Sequence, residues 1–215
     1  MLSVGISGGM GSGKSLVCQI FNLFGISVYH SDYHAKRLMQ EDEMVKTKII
    51  ELLGNESYFN GKILNKKYIA DKIFNDSDLL SKVNLIVHPA VKIDAEKWSN
   101  QLPIAQPYYI RESAILFETG IYKHCNYNIL VTSPETIRIE RIKKRDSLTY
   151  EEIIIRLKQQ WPEYRKLPLS DFQIVNDGAN FLIPQVLKIH KILTDYSLKQ
   201  VDRQQDNAPL PILGL

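Results

Sequence analysis

Gly8-Gly9-Met10-Gly11-Ser12-Gly13-Lys14-Ser15 carries glycine, lysine and serine at the spacing G-x-x-x-x-G-K-S, which suits a polyphosphate. Backbone N–H groups must approach phosphate oxygens closely, which glycines permit because no Cβ intervenes. The N-terminus of a following helix adds partial positive charge. In such a loop Gly9, Met10, Gly11, Ser12 and Gly13 wrap the phosphates of a nucleoside triphosphate. Lys14 reaches the β- and γ-phosphates, and the Ser15 hydroxyl ligates Mg²⁺.

A phosphate loop does not by itself separate a kinase from a GTPase or an ATP-driven machine. A regulatory GTPase needs D-x-x-G and N-K-x-D, and neither occurs: the nearest approach, Asn65-Lys66-Lys67-Tyr68, ends in tyrosine. A large ATPase is disfavoured by the chain's size, which leaves phosphoryl transfer to a small acceptor as the leading reading. That chemistry needs a carboxylate to orient the acceptor hydroxyl and finally take its proton. Asp32, after the second predicted strand, is the candidate base; capping of the helix Tyr33 to Met39 is its competing role. Cations should neutralise the charge that builds up during transfer. Arg138, Arg141 and Arg145 lie at i, i+3 and i+7 on one helix face, either as part of a lid or as a solvated basic face in which Glu140 and Lys144 pair.

These groups must be held by a scaffold, and the composition describes one. The chain has 215 residues, 44% hydrophobic and 24% charged, in the range of globular domains with a packed core. The formal charge of +3 advertises neither nucleic acid nor an anionic membrane as partner. The uncharged stretch from Ser15 to Ser31 is too short and too polar for a spanning helix, and Met1 to Ile6 lacks the basic start of a signal peptide, so the expected location is cytoplasmic. Cys18 and Cys125 are too few for a disulfide framework and read as free thiols.

Leu2–Ile6, the glycine cluster and the helical spacing of Ser15 to Phe24 give strand, loop and helix. Ile26–Tyr29 adds a second strand and completes a β-α-β unit. From Asp32 to about Gln101 the apolar spacing is helical, with no clear strand. Tyr108–Ile110 with Ile115–Phe117, and then Tyr127–Thr132, read as the third and fourth core strands, and Phe172–Val175 as the fifth. Ser133-Pro134-Glu135 opens a helix to about Arg145, Thr149 to Glu152 is a capping box, and Phe181 to Leu198 is a closing amphipathic helix. The alternation predicts an α/β fold: a parallel five-stranded sheet flanked by helices, with a helical insertion at about 32–101. A mobile tail is expected over 201–215.

The ordered series of motifs resembles the dephospho-CoA kinase family. Ile6 to Ser15 is similar to its T-G-G-I-G-S-G-K-S, and His30-Ser31-Asp32-Tyr33-His34-Ala35-Lys36 to its D-A-D-x-x-A-R, with His30 in place of the first aspartate. His88-Pro89-Ala90-Val91 resembles H-P-x-[IV], and Glu112 to Glu118 resembles D-x-P-L-L-F-E. Thr132 to Thr136, Arg141 and Lys144-Arg145-Asp146 resemble the stretch leading into the lid. Glu151 to Gln160, Lys166 and Ser170 to Gly178 resemble E-E…Q…K…A-D-x-x-I-x-N-x-G.

The resemblance implies a P-loop NTPase-type fold with a helical acceptor-binding insertion, a lid at about 138–168, and transfer of the ATP γ-phosphoryl to the ribose 3′-hydroxyl of dephospho-CoA. Asp32 is then the base, and Lys14, Arg141 and Arg145 stabilise charge. His88, Pro89 and Glu118 belong with the acceptor, Glu112 with Mg²⁺ through water, and Asn176 and Gly178 near the adenine. Another nucleoside or nucleotide kinase, and a nucleotide-binding module without transferase activity, stay open at this point.

Overall fold

The computed structural model describes residues 1–74, 76–146 and 148–206. Two compact units divide the chain: Tyr29–Leu102 forms one, and Met1–Val28 with the chain from Pro103 onward forms the other.

The larger unit is built on a five-stranded sheet. The sheet's strands are β1 (Leu2–Gly8), β2 (Val28–His30), β5 (Tyr108–Glu112), β6 (Tyr127–Thr132) and β7 (Phe172–Val175), in the order β2-β5-β1-β6-β7, and of β2 only Val28 is counted in this unit. β1 pairs in parallel with β5 and with β6, and β6 in parallel with β7. β1 is central and covered on both faces, so Leu2, Val4 and Ile6 are almost fully buried and the residues between them are also sheltered. The chain leaves β1 towards one side of the sheet and later crosses to the other, so the loop after β1 opens where the connections diverge. Open α/β sheets bind ligands there.

Helix α1 (Lys14–Leu23) returns across the sheet, burying Val17, Cys18, Ile20 and Phe21. Helices α6 (Glu135–Asp146), α7 (Tyr150–Lys158) and α8 (Glu163–Lys166) follow β6. The capping box at α7 forms as expected: Thr149 Oγ1 accepts from Glu152 N, and Glu152 Oε2 accepts from Thr149 N at 2.8 Å. Helix α9 (Leu182–Asp206) runs past the expected end at Leu198, and the rest of the expected tail, 207–215, lies outside the described residues.

One expected extended segment is not a strand. Ile115–Phe117 forms turns, with Leu116 and Phe117 buried against Leu130, so hydrophobicity there serves a packed loop and not a ladder.

The second unit is helical: α2 (Ser31–Glu41), α3 (Glu43–Leu53), α4 (Lys66–Phe74) and α5 (Ser77–Ser99) close on Leu38, Val45, Ile49, Val83, Val87 and Val91. Contrary to the all-helical reading, a hairpin interrupts it, β3 (Tyr58–Phe59) paired antiparallel with β4 (Ile63–Leu64). Asn60 and Gly61 make its turn, both with positive φ, the pairing that an Asn-Gly hairpin favours.

Candidate active site

The phosphate loop joins β1 to α1. Gly13 is the N-cap of α1 at φ 93, a conformation that L side chains resist, and a Cβ there would fall 2.1 Å from Asn176 Nδ2. Glycine is required twice over. Lys14 Nζ donates to Gly8 O at 2.9 Å, so its ammonium is folded back over the loop it serves. Ser15 is exposed in the first turn of α1, and Ser12 is buried.

Side chains from distant elements grip this loop. Asn176, at the end of β7, donates through Nδ2 to Ser12 O at 2.8 Å and accepts through Oδ1 from Arg141 at 3.2 Å. The Arg141 guanidinium also reaches Ser133 Oγ at 3.3 Å and Gly11 O at 3.4 Å. Arg138 lies against Gly9, where a Cβ would meet its guanidinium carbon at 2.6 Å, and it donates through Nε to Met10 O at 3.0 Å. Two cations therefore sit beside the loop, each held by backbone or side-chain partners.

Arg145, third on the same helix, turns away. It is 63% exposed and doubly hydrogen-bonded to Asp146 at 2.7 Å, which holds the Asp146 carboxyl below its ordinary pKa. The structure thus brings Arg138 and Arg141 to the loop and leaves Arg145 at the surface. Spacing alone had placed all three on one face without ranking them.

A cavity of about 670 Å³ adjoins the loop, lined by Gly9, Pro134, Arg138, Leu157, Trp161 and Asp177 among others. Its size is that of a small-molecule site. Asn176, expected beside the adenine, directs its amide at the loop. Asp177 and Gly178 continue as a turn in which Asp177 Oδ1 accepts from Ala179 N and Asn180 N, bonds that lower its pKa.

Glu112 ends β5 in register with Ile6, 7% exposed at the base of the loop. Its charge is felt at Cys18: burial chiefly, then Glu112, raise the thiol's pKa, against the opposing effect of Lys14. The Cys18 thiol stays protonated and inert. Glu118 accepts from Trp161 N at 2.8 Å and pairs at 2.8 Å with the fully buried Lys166. In the sequence Lys166 is one point of a motif. Nothing local distinguishes this lysine, buried by contacts with a distant loop, from its solvated neighbours.

In the helical unit Asp32 occupies the first turn of α2, inside the helix and not at its N-cap, which is His30. There the carboxylate also complements the helix dipole. His88 and Pro89 lie within α5, whose helix continues through the proline. Pro89 lines a groove of about 360 Å³ with Leu38, Met44, Ile86, Ile93 and Lys97. A polar cluster unforeseen from the sequence adjoins it. Asp94 accepts from Tyr29 OH at 2.7 Å and pairs with Arg37, and His34 Nδ1 lies 3.1 Å away with its ring stacked on Tyr29.

A glycine-rich loop between a central parallel strand and a helix, with Lys14 folded over it and Arg138 and Arg141 braced against it, defines a P-loop nucleotide-binding protein. The particular family follows from comparison. The dephospho-CoA kinase family model matches residues 2–181, and the chain belongs to that family. A dephospho-CoA kinase of Porphyromonas gingivalis is 38% identical over 190 residues, 88% of this chain and 93% of the relative. One from Bacteroides fragilis is 36% identical over 188 residues, 87% and 91%. Among solved structures, TT1252 from Thermus thermophilus superposes with a TM-score of 0.80 at 27% identity, covering 89% of this chain and 96% of that one. A Campylobacter jejuni dephospho-CoA kinase shares the fold, with a TM-score of 0.66 at 21% identity, covering 90% and 97%. Among the described residues no helix is long and apolar enough to cross a membrane.

Proposed function

We propose that this chain transfers the γ-phosphoryl of ATP to the ribose 3′-hydroxyl of dephospho-CoA, giving CoA and ADP. The observation that carries the reading is the phosphate loop with Lys14 at its centre and Arg141 fixed beside it, in a chain of the dephospho-CoA kinase family. The loop amides and the α1 N-terminus bind the β- and γ-phosphates, and Lys14 exchanges its bond to Gly8 O for phosphate oxygen. Arg141, held by Ser133 and Asn176, meets the charge that spreads over the transferring group. Arg138 holds the loop's tip. Arg145 we leave outside the reacting centre.

Mg²⁺ fits the residues present. Among the described residues no group of three His, Cys, Asp or Glu could cage a metal, and Mg²⁺ characteristically takes one or two protein ligands, completing its shell with phosphates and waters. Ser15 would supply a hydroxyl and Glu112 a carboxylate through water. The ion, when bound, neutralises phosphate charge.

Asp32 is the carboxylate assigned to the acceptor hydroxyl. Its carboxylate orients the nucleophile and receives the proton late, which a loose transition state permits. His88 and Pro89 are assigned to the helical unit's hold on the acceptor. Glu118, engaged by Lys166 and Trp161, is assigned to support of the lid segment. A kinase drawing on ATP fits the cytoplasmic location expected from the sequence.

The test is ADP release with ATP and Mg²⁺ in the presence of dephospho-CoA, adenosine, AMP or CMP. Turnover with dephospho-CoA alone, yielding CoA, supports the assignment. Turnover only with a nucleoside or nucleotide moves the acceptor to that class, and silence with all four removes the transferase reading.

A further inference from the structure

Met10 stands at the tip of the phosphate loop between Gly9 and Gly11, and both of its backbone groups are held from outside the loop. Its carbonyl accepts from Arg138 Nε at 3.0 Å, and its N–H donates to Gln160 Oε1 at 2.8 Å. Gln160 lies just beyond α7, and its amide nitrogen donates to Ala114 O at 2.9 Å, two residues past Glu112. The two partners fix the orientation of the side-chain amide, because a backbone N–H can only donate and a carbonyl can only accept.

The backbone at this point is itself anchored. The next residue, Trp161, donates its N–H to Glu118, Glu118 pairs with buried Lys166, and Arg138 pairs with Glu163 at 3.3 Å. Gln160 therefore projects from a braced segment, and its far end touches the one non-glycine residue between Gly9 and Gly11. Glycine-rich backbone loses more conformational freedom on ordering than any other, so a loop of this composition gains most from an external strut.

We propose that Gln160 is a positioning residue for ATP: it holds the tip of the phosphate loop in its binding geometry and ties that geometry to the end of the lid helix α7 and to the segment following Glu112. It touches neither acceptor nor reacting atoms, so its effect falls on the nucleotide. The proposal rests on the kinase reading above for its turnover assay, and on nucleotide affinity alone for its second measurement.

Gln160→Ala is expected to raise KM for ATP about 3- to 10-fold, the size of one lost hydrogen bond, leave KM for dephospho-CoA within about twofold, and speed exchange of the Met10 amide hydrogen. Gln160→Glu keeps the shape but, once ionised, has no proton for Ala114 O. Its carboxylate still accepts from Met10 N–H, so near pH 8 it should lose less ATP affinity than alanine does. Below about pH 5, as the carboxyl protonates and regains a donor for Ala114 O, its ATP affinity relative to wild type should recover fully. Affinity for a non-hydrolysable ATP analogue is measured alongside. Unchanged ATP affinity in Gln160→Ala, or an equal rise in both KM values with a lowered Tm, overturns the proposal. Absence of turnover by the wild-type chain overturns the acceptor assignment instead, and the analogue affinities then decide the role of Gln160 separately.

Discussion

Asn176 Nδ2 donates to Ser12 O across 2.8 Å, joining the end of β7 to the phosphate loop over 164 residues of chain. The same amide's oxygen holds Arg141, so one buried side chain sets both the loop's floor and the position of its neighbouring cation.

Removing that amide leaves the Ser12 carbonyl without its partner and frees the guanidinium. Asn176→Ala should weaken ATP binding by roughly tenfold and lower Tm by about 4–8 °C, two bonds' worth at a buried site. Asn176→Asp, equal in shape but without the donor, should reproduce the loss at Ser12. Calorimetric titration with an ATP analogue and a thermal scan measure both.

Gly13→Ala meets two obstacles, the positive φ of 93 and the 2.1 Å approach of Asn176. The substitution should cost about 2 kcal/mol or more of stability and displace Asn176 from the loop. Chemical denaturation reads the first effect and ATP-analogue affinity the second. Wild-type values for both would show that the loop tolerates a Cβ there.

The ion pair of Lys166 and Glu118 is almost closed to water, with the lysine side chain 0% exposed and the glutamate 13%. Lys166→Met should destabilise by about 3–5 kcal/mol, because the carboxylate remains without its counter-charge. Adding Glu118→Gln should restore most of that. If the double variant were no more stable than the single one, the loss would lie in packing and not in charge.

Asp94 and His34 tie stability of the helical unit to pH. Burial would raise the pKa of Asp94, but hydrogen bonds from Tyr29 and Arg37 outweigh it and the net shift is downward. Burial lowers the pKa of His34, more than Asp94 raises it. In both cases the unfolded chain binds protons more readily, so stability falls as pH falls. For His34 the loss begins below its ordinary value of about 6.5, and for Asp94 below about 3.8. Tm should decline between roughly pH 6.5 and pH 5, and the decline should be smaller in His34→Gln. An identical slope in the variant would remove His34 as its source.

The phosphate loop and the βαβ unit around it were legible because their signals are local: glycines, lysine and serine in one run, followed by helical spacing. The hairpin at Asn60-Gly61 escaped although Asn-Gly is a turn signal, because its strands are two residues each, too short for alternation to register. Ile115–Phe117 misled because a buried turn needs the same residues as a buried strand. The partners of the loop's tip were hidden for another reason. Arg138 and Gln160 meet Met10 across 128 and 150 residues, and no periodicity records a contact made only when the sheet is assembled. Arg141 and Arg145 looked equivalent by spacing, and the neighbouring Asp146 separates them by engaging Arg145.

The reaction assigned to this chain is phosphoryl transfer to a hydroxyl oriented by Asp32. Its most direct test is product analysis by phosphorus NMR after reaction of ATP, Mg²⁺ and dephospho-CoA, with Asp32→Asn run beside the wild type. The predicted result is phosphate on the ribose 3′-oxygen with the wild type, and formation slowed about 10²- to 10⁴-fold in the variant at nearly unchanged ATP affinity. A wild type that forms no such product would remove dephospho-CoA as the acceptor, and a variant that forms it at full rate would remove Asp32 from the reaction.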